Sequence, residues 1–210
     1  MTAGSRTTGQ TLWVAARTLL VCTLALGVGY TALVTGIGQL ALPAQANGSL
    51  LAGPGGAGAE APVGSALIGQ SFVDAEGEPL PQYFQPRPSA AGDGYDGAAS
   101  GASNLGPENP DLVAAVAERR AAIAARDGVP EDAIPVDALT ASSSGLDPHI
   151  SPEYAALQAE RVAAARAIPL EEVRALVAQF TEAPDLGVLG SPRVNVLRIN
   201  LELDEREAAA

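Results

Sequence analysis

From Thr18 to Ala59 the chain carries no charged side chain. The apolar part of that stretch, TLLVCTLALGVGYTALVTGIGQLAL, runs from about Thr18 to Leu42. A helix of that length, rising ~1.5 Å per residue, crosses a hydrocarbon core of ~30 Å. A secretory signal peptide is the competing reading, because Ala44-Gln45-Ala46 fits the A-x-A cleavage pattern. The apolar region of such a leader is ordinarily ~7–15 residues, and this one is clearly longer. Spacing adds a second argument. Cys22, Ala25, Gly29, Ala32 and Gly36 follow one another at intervals of 3, 4, 3 and 4. On a regular α-helix this places all five small side chains on one face, where another transmembrane helix can approach closely. A leader bound for removal has no need of such a face, so the span is expected to be retained, with Trp13 near the inner interface.

Charge sets the orientation. Arg6 and Arg17 precede the span, and the next cation is Arg87. The excess of basic residues on the N-terminal side predicts a cytoplasmic N-terminus and an external main domain in the cell membrane. Asn47-Gly48-Ser49 fits a glycosylation sequon on the outer side, and is read as a chance match. Residues 60–210 hold 10 arginines and all 24 acids, a net charge of −14, and there is no lysine anywhere. Such a domain repels nucleic acid, whose binding draws on basic groups. A single cysteine, Cys22, excludes an intramolecular disulfide, and with His149 as the only histidine the usual zinc ligand sets are out of reach. No Asp/Asn/Gly loop pattern calls for calcium, so no metal is expected.

The remainder reads element by element. Residues 52–64, AGPGGAGAEAPVG, form a Gly/Ala/Pro linker without an apolar period. SALIGQSF (65–72) predicts a short strand. Residues 73–109 carry little helix or strand signal but include Tyr83, Phe84 and Tyr95, which predicts an ordered excursion with aromatic anchors. Asn109-Pro110-Asp111 opens a helix that Gly128 ends. Leu112, Val116 and Ile123 share a face, with Glu118, Arg119 and Arg126 toward water. Ser151-Pro152-Glu153 opens a second helix, with Tyr154, Leu157 and Ala165 on one face. A third follows Pro169, with Val173, Leu176, Val177 and Phe180 at helical spacing. RVNVLRINLELD alternates Leu197, Ile199, Leu201 and Leu203, which predicts a strand with one buried face. Few strands and three short helices make an α+β fold. The expected organisation is a cytoplasmic N-terminus (1–17), a transmembrane helix (18–42), a linker (43–64), an extracytoplasmic α+β domain (65–204) and a short tail (205–210).

Two stretches imitate catalytic or binding motifs. Ser144, Asp147 and His149 crowd within six positions, but catalytic triads are assembled from separate elements, and no G-x-S-x-G elbow is present. Asp147-Pro148-His149 reads instead as a proline-stiffened turn. SGASNLGPENP (100–110) looks like a phosphate loop, yet a Walker loop needs a lysine and Asp111 opposes an anion at that helix start. No catalytic residue is assigned. Residue by residue, two functions stay open: a non-catalytic subunit of a membrane complex, or an anchored or secreted module that binds a solute or ion outside.

QANGSL (45–50), GSALIGQSF (64–72), YFQPRPSA (83–90), SGASNLGPENPDL (100–112), TASSSGLDPHISPEYAALQAERVAAAR (140–166) and LGSPRVNVLRINLELD (189–204) occur in this order. Together they resemble the KdpC family, the C subunit of the bacterial potassium-transporting P-type ATPase. The resemblance implies an accessory subunit of an ATP-driven potassium uptake pump. Its implied partners are a channel-like potassium-translocating subunit, an ATP-hydrolysing P-type subunit and a very small fourth chain. It also implies a catalytic chaperone that raises the pump's affinity for ATP. The expected orientation puts the acidic domain across the membrane from cytoplasmic ATP, so that effect would have to be indirect. The chain departs from the family pattern at Gly101-Ala102, where Gly-Gly is common, and at Tyr30-Thr31, where a helix-kinking Tyr-Pro is common.

Overall fold

The computed structural model describes residues 3–53 and 62–209, with side chains from Thr8 onward. It comprises two compact units, Met1–Ser49 and Leu50–Ala210. In the first, helix α1 (Ala3–Cys22) passes without a break into a π-helical segment (Thr23–Tyr30) and then into α2 (Thr31–Ala41). Thr8–Ala41, 34 residues containing an 18-residue stretch of mean hydropathy 1.9, is long and apolar enough to cross a membrane. Leu42 leaves helical geometry, and α3 (Pro43–Ala46) adds one further turn. The Gln39 and Asn47 amides exchange two hydrogen bonds of 3.3 and 3.0 Å, and Asn47 also donates to the Pro43 carbonyl. The sequon asparagine is thereby occupied in closing the helix end, and the Ala44-Gln45-Ala46 triplet lies within a helical turn.

The second unit is α+β. Strands β1 (Leu50–Leu51) and β2 (Gly64–Ser65) pair antiparallel and bring together the two ends of the expected linker. Residues 54–61, the heart of that linker, lie outside the described residues. From Val73 to Asn109 no helix or strand forms apart from an isolated bridge between Val73 and Pro79. Helix α4 (Pro110–Asp127) starts as the sequence predicts: the Asn109 side chain accepts from the Asp111 N–H at 2.8 Å, and Gly128 ends it at a φ of 67°. A short α5 (Val136–Leu139) precedes β3 (His149–Ile150). Helix α6 (Pro152–Arg166) is capped by the Ser151 hydroxyl, which accepts from Tyr154 N–H, and α7 (Leu170–Phe180) follows Pro169. Strands β4 (Thr181–Glu182) and β5 (Arg193–Asn195) complete a three-stranded antiparallel sheet of order β3-β5-β4. Its register pairs His149 with Asn195 and Thr181 with Val194. Helix α8 (Val196–Ala209) closes the chain.

Two expected strands are not strands. In 65–72 only Ser65 belongs to one. Its hydroxyl accepts from Leu67 N–H, its carbonyl from Ile68 N–H, and the segment turns with Leu67 exposed. The alternating 193–204 stretch is strand only to Asn195 and helix thereafter. Val196, Ile199, Asn200 and Leu203 are buried at helical spacing, and Asn195 starts the helix by accepting from Arg198 N–H at 3.1 Å. The leucines fit both periods, and the buried Asn200 decides between them. On α6 the expected face is corrected too. Tyr154 is buried, but Ala165 is exposed, and the covered face runs through Ala155, Gln158, Ala159 and Val162. An amide at position 158 hid it from an apolar count.

These buried amides explain how the long excursion is held. Asn200 accepts from Phe84 N–H at 2.9 Å and donates to Phe84 C=O at 3.0 Å. Gln158 does the same for Gln85, at 2.7 and 3.1 Å. Two side chains thus supply the ladder bonds a neighbouring strand would have made, so Phe84 enters the core with its backbone satisfied. Arg166 sits 4.9 Å above the Tyr83 ring and donates to Gln82 C=O, while the Tyr83 hydroxyl donates to Asp204. The aromatic anchoring of 73–109 holds, through partners on α6 and α8.

Candidate functional site

Two features stand out, one in each unit. The first is the span. Among residues 8–46 every side chain is exposed except at Gly38. Cys22 ends α1, Ala25 and Gly29 fall in the π-helical segment, and Ala32 and Gly36 lie on α2. A π-helix bonds i→i+5 and fits more residues into each turn, so positions three and four apart no longer stack. The small side chains therefore wind around the helix between residues 22 and 30 and align again in α2. Thr31 Oγ donates to Leu26 C=O, five residues back, at the end of this wide turn. The helix widens next to Tyr30-Thr31, the position at which the resemblance leads one to expect a proline. A Cβ at Gly36 would meet nothing within 4 Å, so that face of α2 is open to a neighbour.

The second is a hub where the loops meet. The turn 142–147 is its centre. Ser142 N–H bonds Pro88 C=O at 3.0 Å, Ser89 Oγ donates to Gly145 C=O at 2.6 Å, and Gly69 N–H bonds Leu146 C=O at 2.9 Å. Ser100 Oγ and Gly101 N–H both donate to Ser144 C=O at 2.9 Å. Arg87 Nη1 pairs with Asp147 at 3.0 Å, Arg87 Nη2 donates to Thr140 C=O, and the Tyr95 hydroxyl donates to Arg87 C=O at 2.7 Å. Gly145 has a φ of +69°, and a Cβ there would stand 2.8 Å from both Ala91 N and Gly101 O. Only glycine fits this point.

The hub settles the geometry of the imitated motifs. Asp147 Oδ1 accepts from His149 N–H at 3.0 Å and lies 3.3 Å from His149 Nδ1. Ser144 Oγ instead faces Ser142 Oγ at 3.1 Å and accepts from Leu146 N–H. The three residues thus form consecutive side-chain-to-backbone turns. In the 100–110 loop, Asn104 donates to Ala102 C=O and Asn109 caps α4, so these polar side chains bond the backbone of their own loop. Burial pushes the Asp147 carboxyl up, but hydrogen bonds from His149 and the charge of Arg87 outweigh it and hold it below its ordinary value. Tyr95 is pushed up, first by burial and then by the charge of Asp147.

Sequence reasoning set Arg119 and Arg126 toward water, and the structure corrects both. Arg119 Nη1 donates to Leu139 C=O at 2.9 Å. Arg126 and Arg161 share the buried carboxylate of Asp127, each at 2.6 Å, and Arg126 also donates to the Tyr154 hydroxyl. Nothing local signals that a carboxylate at the C-terminal end of α4 would gather an arginine from α6. Among the described residues no three His, Cys, Asp or Glu side chains stand close enough to share a metal ion.

A family model described as KdpC, the c chain of K+-transporting ATPase, matches residues 12–205. Relatives named potassium-transporting ATPase KdpC subunit are similar over nearly their whole length. One from Kineococcus radiotolerans is 58% identical over 186 residues, 88% of each chain. One from Beijerinckia indica is 54% identical over 188 residues, 90% of each chain. One from Gemmatimonas aurantiaca is 53% identical over 199 residues, covering 92% of this chain and 94% of its own.

Proposed function

The chain belongs to the KdpC family, the c chain of K+-transporting ATPases, and from that premise we propose that it is a non-catalytic accessory subunit of an ATP-driven potassium uptake complex. It is held in the cell membrane by residues 18–42, with its N-terminus in the cytoplasm and its acidic domain outside. Its partners are the channel-like potassium-translocating subunit, the ATP-hydrolysing P-type subunit and a small fourth chain. One observation carries the reading: the helical stretch from Thr18 to Ala41 is uncharged and exposed at every position but Gly38, with Arg6 and Arg17 on its N-terminal side and no cation after it before Arg87. A lone soluble protein would have to cover that surface, whereas a subunit covers it with lipid and neighbouring helices. The five small side chains, Cys22, Ala25, Gly29, Ala32 and Gly36, form the contact face, followed along the turn of the π segment.

The chaperone role, raising the ATP affinity of the hydrolysing subunit, fits this topology only as an indirect effect passed through the span. The helix offers a route, because its widened segment lies inside the bilayer and a neighbouring span can bias how it winds.

Detergent extraction with an affinity tag on this chain tests the assembly reading. The expected result is that the other three membrane chains elute with it, and that protease added to intact spheroplasts cleaves the domain but not residues before 18. Elution as a lone soluble protein beginning near Asn47 overturns it and favours the secreted solute-binding module.

A further inference from the structure

In a domain this acidic, an arginine without a carboxylate is unusual. Among the described residues every arginine beyond residue 50 has a carboxylate within 3.5 Å except two, Arg119 and Arg120, adjacent on α4. Among the described residues Arg119 donates only to the Leu139 carbonyl, and the buried Nε of Arg120 meets no acceptor. The domain holds 24 acids in all, so the pair is not short of candidates for want of supply.

Arg119 lines a cavity of about 290 Å³ between α4 and the loop 85–95. Arg87 and Arg126 line it with Arg119, and among the described residues no Asp or Glu does. Each brings a donor to spare. Arg87 has a buried Nε without a partner, and Arg126 binds Asp127 and Tyr154 through Nε and Nη2 but not Nη1. The nearby carboxylates offset the three guanidiniums only in part: Asp147 pairs with Arg87, Asp127 is divided between Arg126 and Arg161, and Arg119 has no carboxylate beside it, so positive charge is left over at the cavity. The rest of the wall is part apolar, with Val73, Ile123 and Ala138, and part hydroxyl, with Ser89.

We propose that this cavity binds a single carboxylate group, gripped by Arg119 with help from Arg87 and Arg126. Planar guanidiniums match a carboxylate in bidentate geometry. The apolar wall takes the short aliphatic part behind it. Size and charge together select against a polyphosphate. The volume lies at the small end of ligand pockets, which run ~300–1,000 Å³. A multiply charged anion would also feel the whole domain's net −14 in proportion to its own charge. The carboxylate belongs either to a small organic acid in solution or to an acidic side chain of a partner chain.

Two arms separate those sources. In the first, the full chain in detergent is melted in sodium propionate against sodium chloride of equal ionic strength. At about ten times its dissociation constant, propionate should raise Tm by about 4 °C. Arg119→Gln should abolish the rise, Arg119→Lys should restore part of it, and Arg174→Gln, in an exposed pair away from the cavity, should leave it unchanged. In the second, partner chains are recovered on the tagged protein as salt is raised. If propionate is silent but Arg119→Gln releases the partners at a salt concentration where the parent and Arg174→Gln hold them, the carboxylate is a partner's. A propionate rise that survives in Arg119→Gln, or no effect of Arg119→Gln in either arm, overturns the proposal. The first arm uses this chain alone, so its outcome is independent of the assembly reading.

Discussion

Gly145 carries the tightest constraint in the hub, since its backbone lies in the left-handed region and its neighbours leave no room for a side chain. Gly145→Ala combines an αL penalty with a clash against backbone atoms, and should destabilise the domain by about 3 kcal/mol. Denaturant melts of the full chain check this, and a loss below about 1 kcal/mol would mean the turn relaxes at little cost. Asp147 gives a pH dependence whose sign is fixed. Its folded carboxyl is held below the ordinary 3.8, so its stabilisation is present above that value and is lost as pH falls through the lower folded value. Arg87, His149 and Tyr95 are the charged or titratable groups that act on it. Asp147→Asn should lower Tm near pH 6 and flatten the acid limb below pH 4. Melts from pH 6 to 2.5 would contradict this if both limbs superimpose.

Among the elements, the span and α8 show how an incidental feature redirects a regular pattern. A 3-4-3-4 stripe implies one straight face, but eight residues of π-helix turn part of it away. Gly36 lies beyond that segment on regular helix with open space at its Cα. Gly36→Leu should therefore leave the melting of the α+β domain unchanged while weakening recovery of partner chains by about tenfold, because a bulky side chain holds helix backbones apart. Full recovery would place the contact on another face. In α8 the alternating leucines suit a strand, and the helix wins because Asn195 caps it and Asn200 finds both polar groups of Phe84. The cap was legible in principle, since an asparagine stands directly before the first helical residue. The buried amide was not, because an apolar count treats it as a break in the pattern.

For the whole molecule, charge is the property that acts at a distance. A domain of net −14 concentrates cations around itself, and the proposed topology puts that field on the outer surface, where potassium is taken up. If that serves uptake, neutralising the exposed acids Glu118, Glu131, Asp132 and Glu160 together should raise the potassium concentration for half-maximal ATPase activity of the complex about twofold at 10 mM ionic strength. The difference should fade at 150 mM, where the Debye length is ~8 Å. An unchanged value at low ionic strength removes the field from the mechanism.

The amino-acid sequence by itself determined the helix long and apolar enough to cross a membrane and the start of α4, α6 and α7. Apolar length and the Asn-Pro-Asp, Ser-Pro-Glu and proline signals act over a few neighbouring residues. It also carried the family, in six sequence blocks, of which four (64–72, 83–90, 100–112 and 140–166) meet around residues 142–147. Tertiary structure alone decided which arginines are paired, which amides are buried and where β5 gives way to α8. Those outcomes depend on partners far apart along the chain, such as Phe84 with Asn200 at a separation of 116 residues, and no local period encodes a bond across that distance.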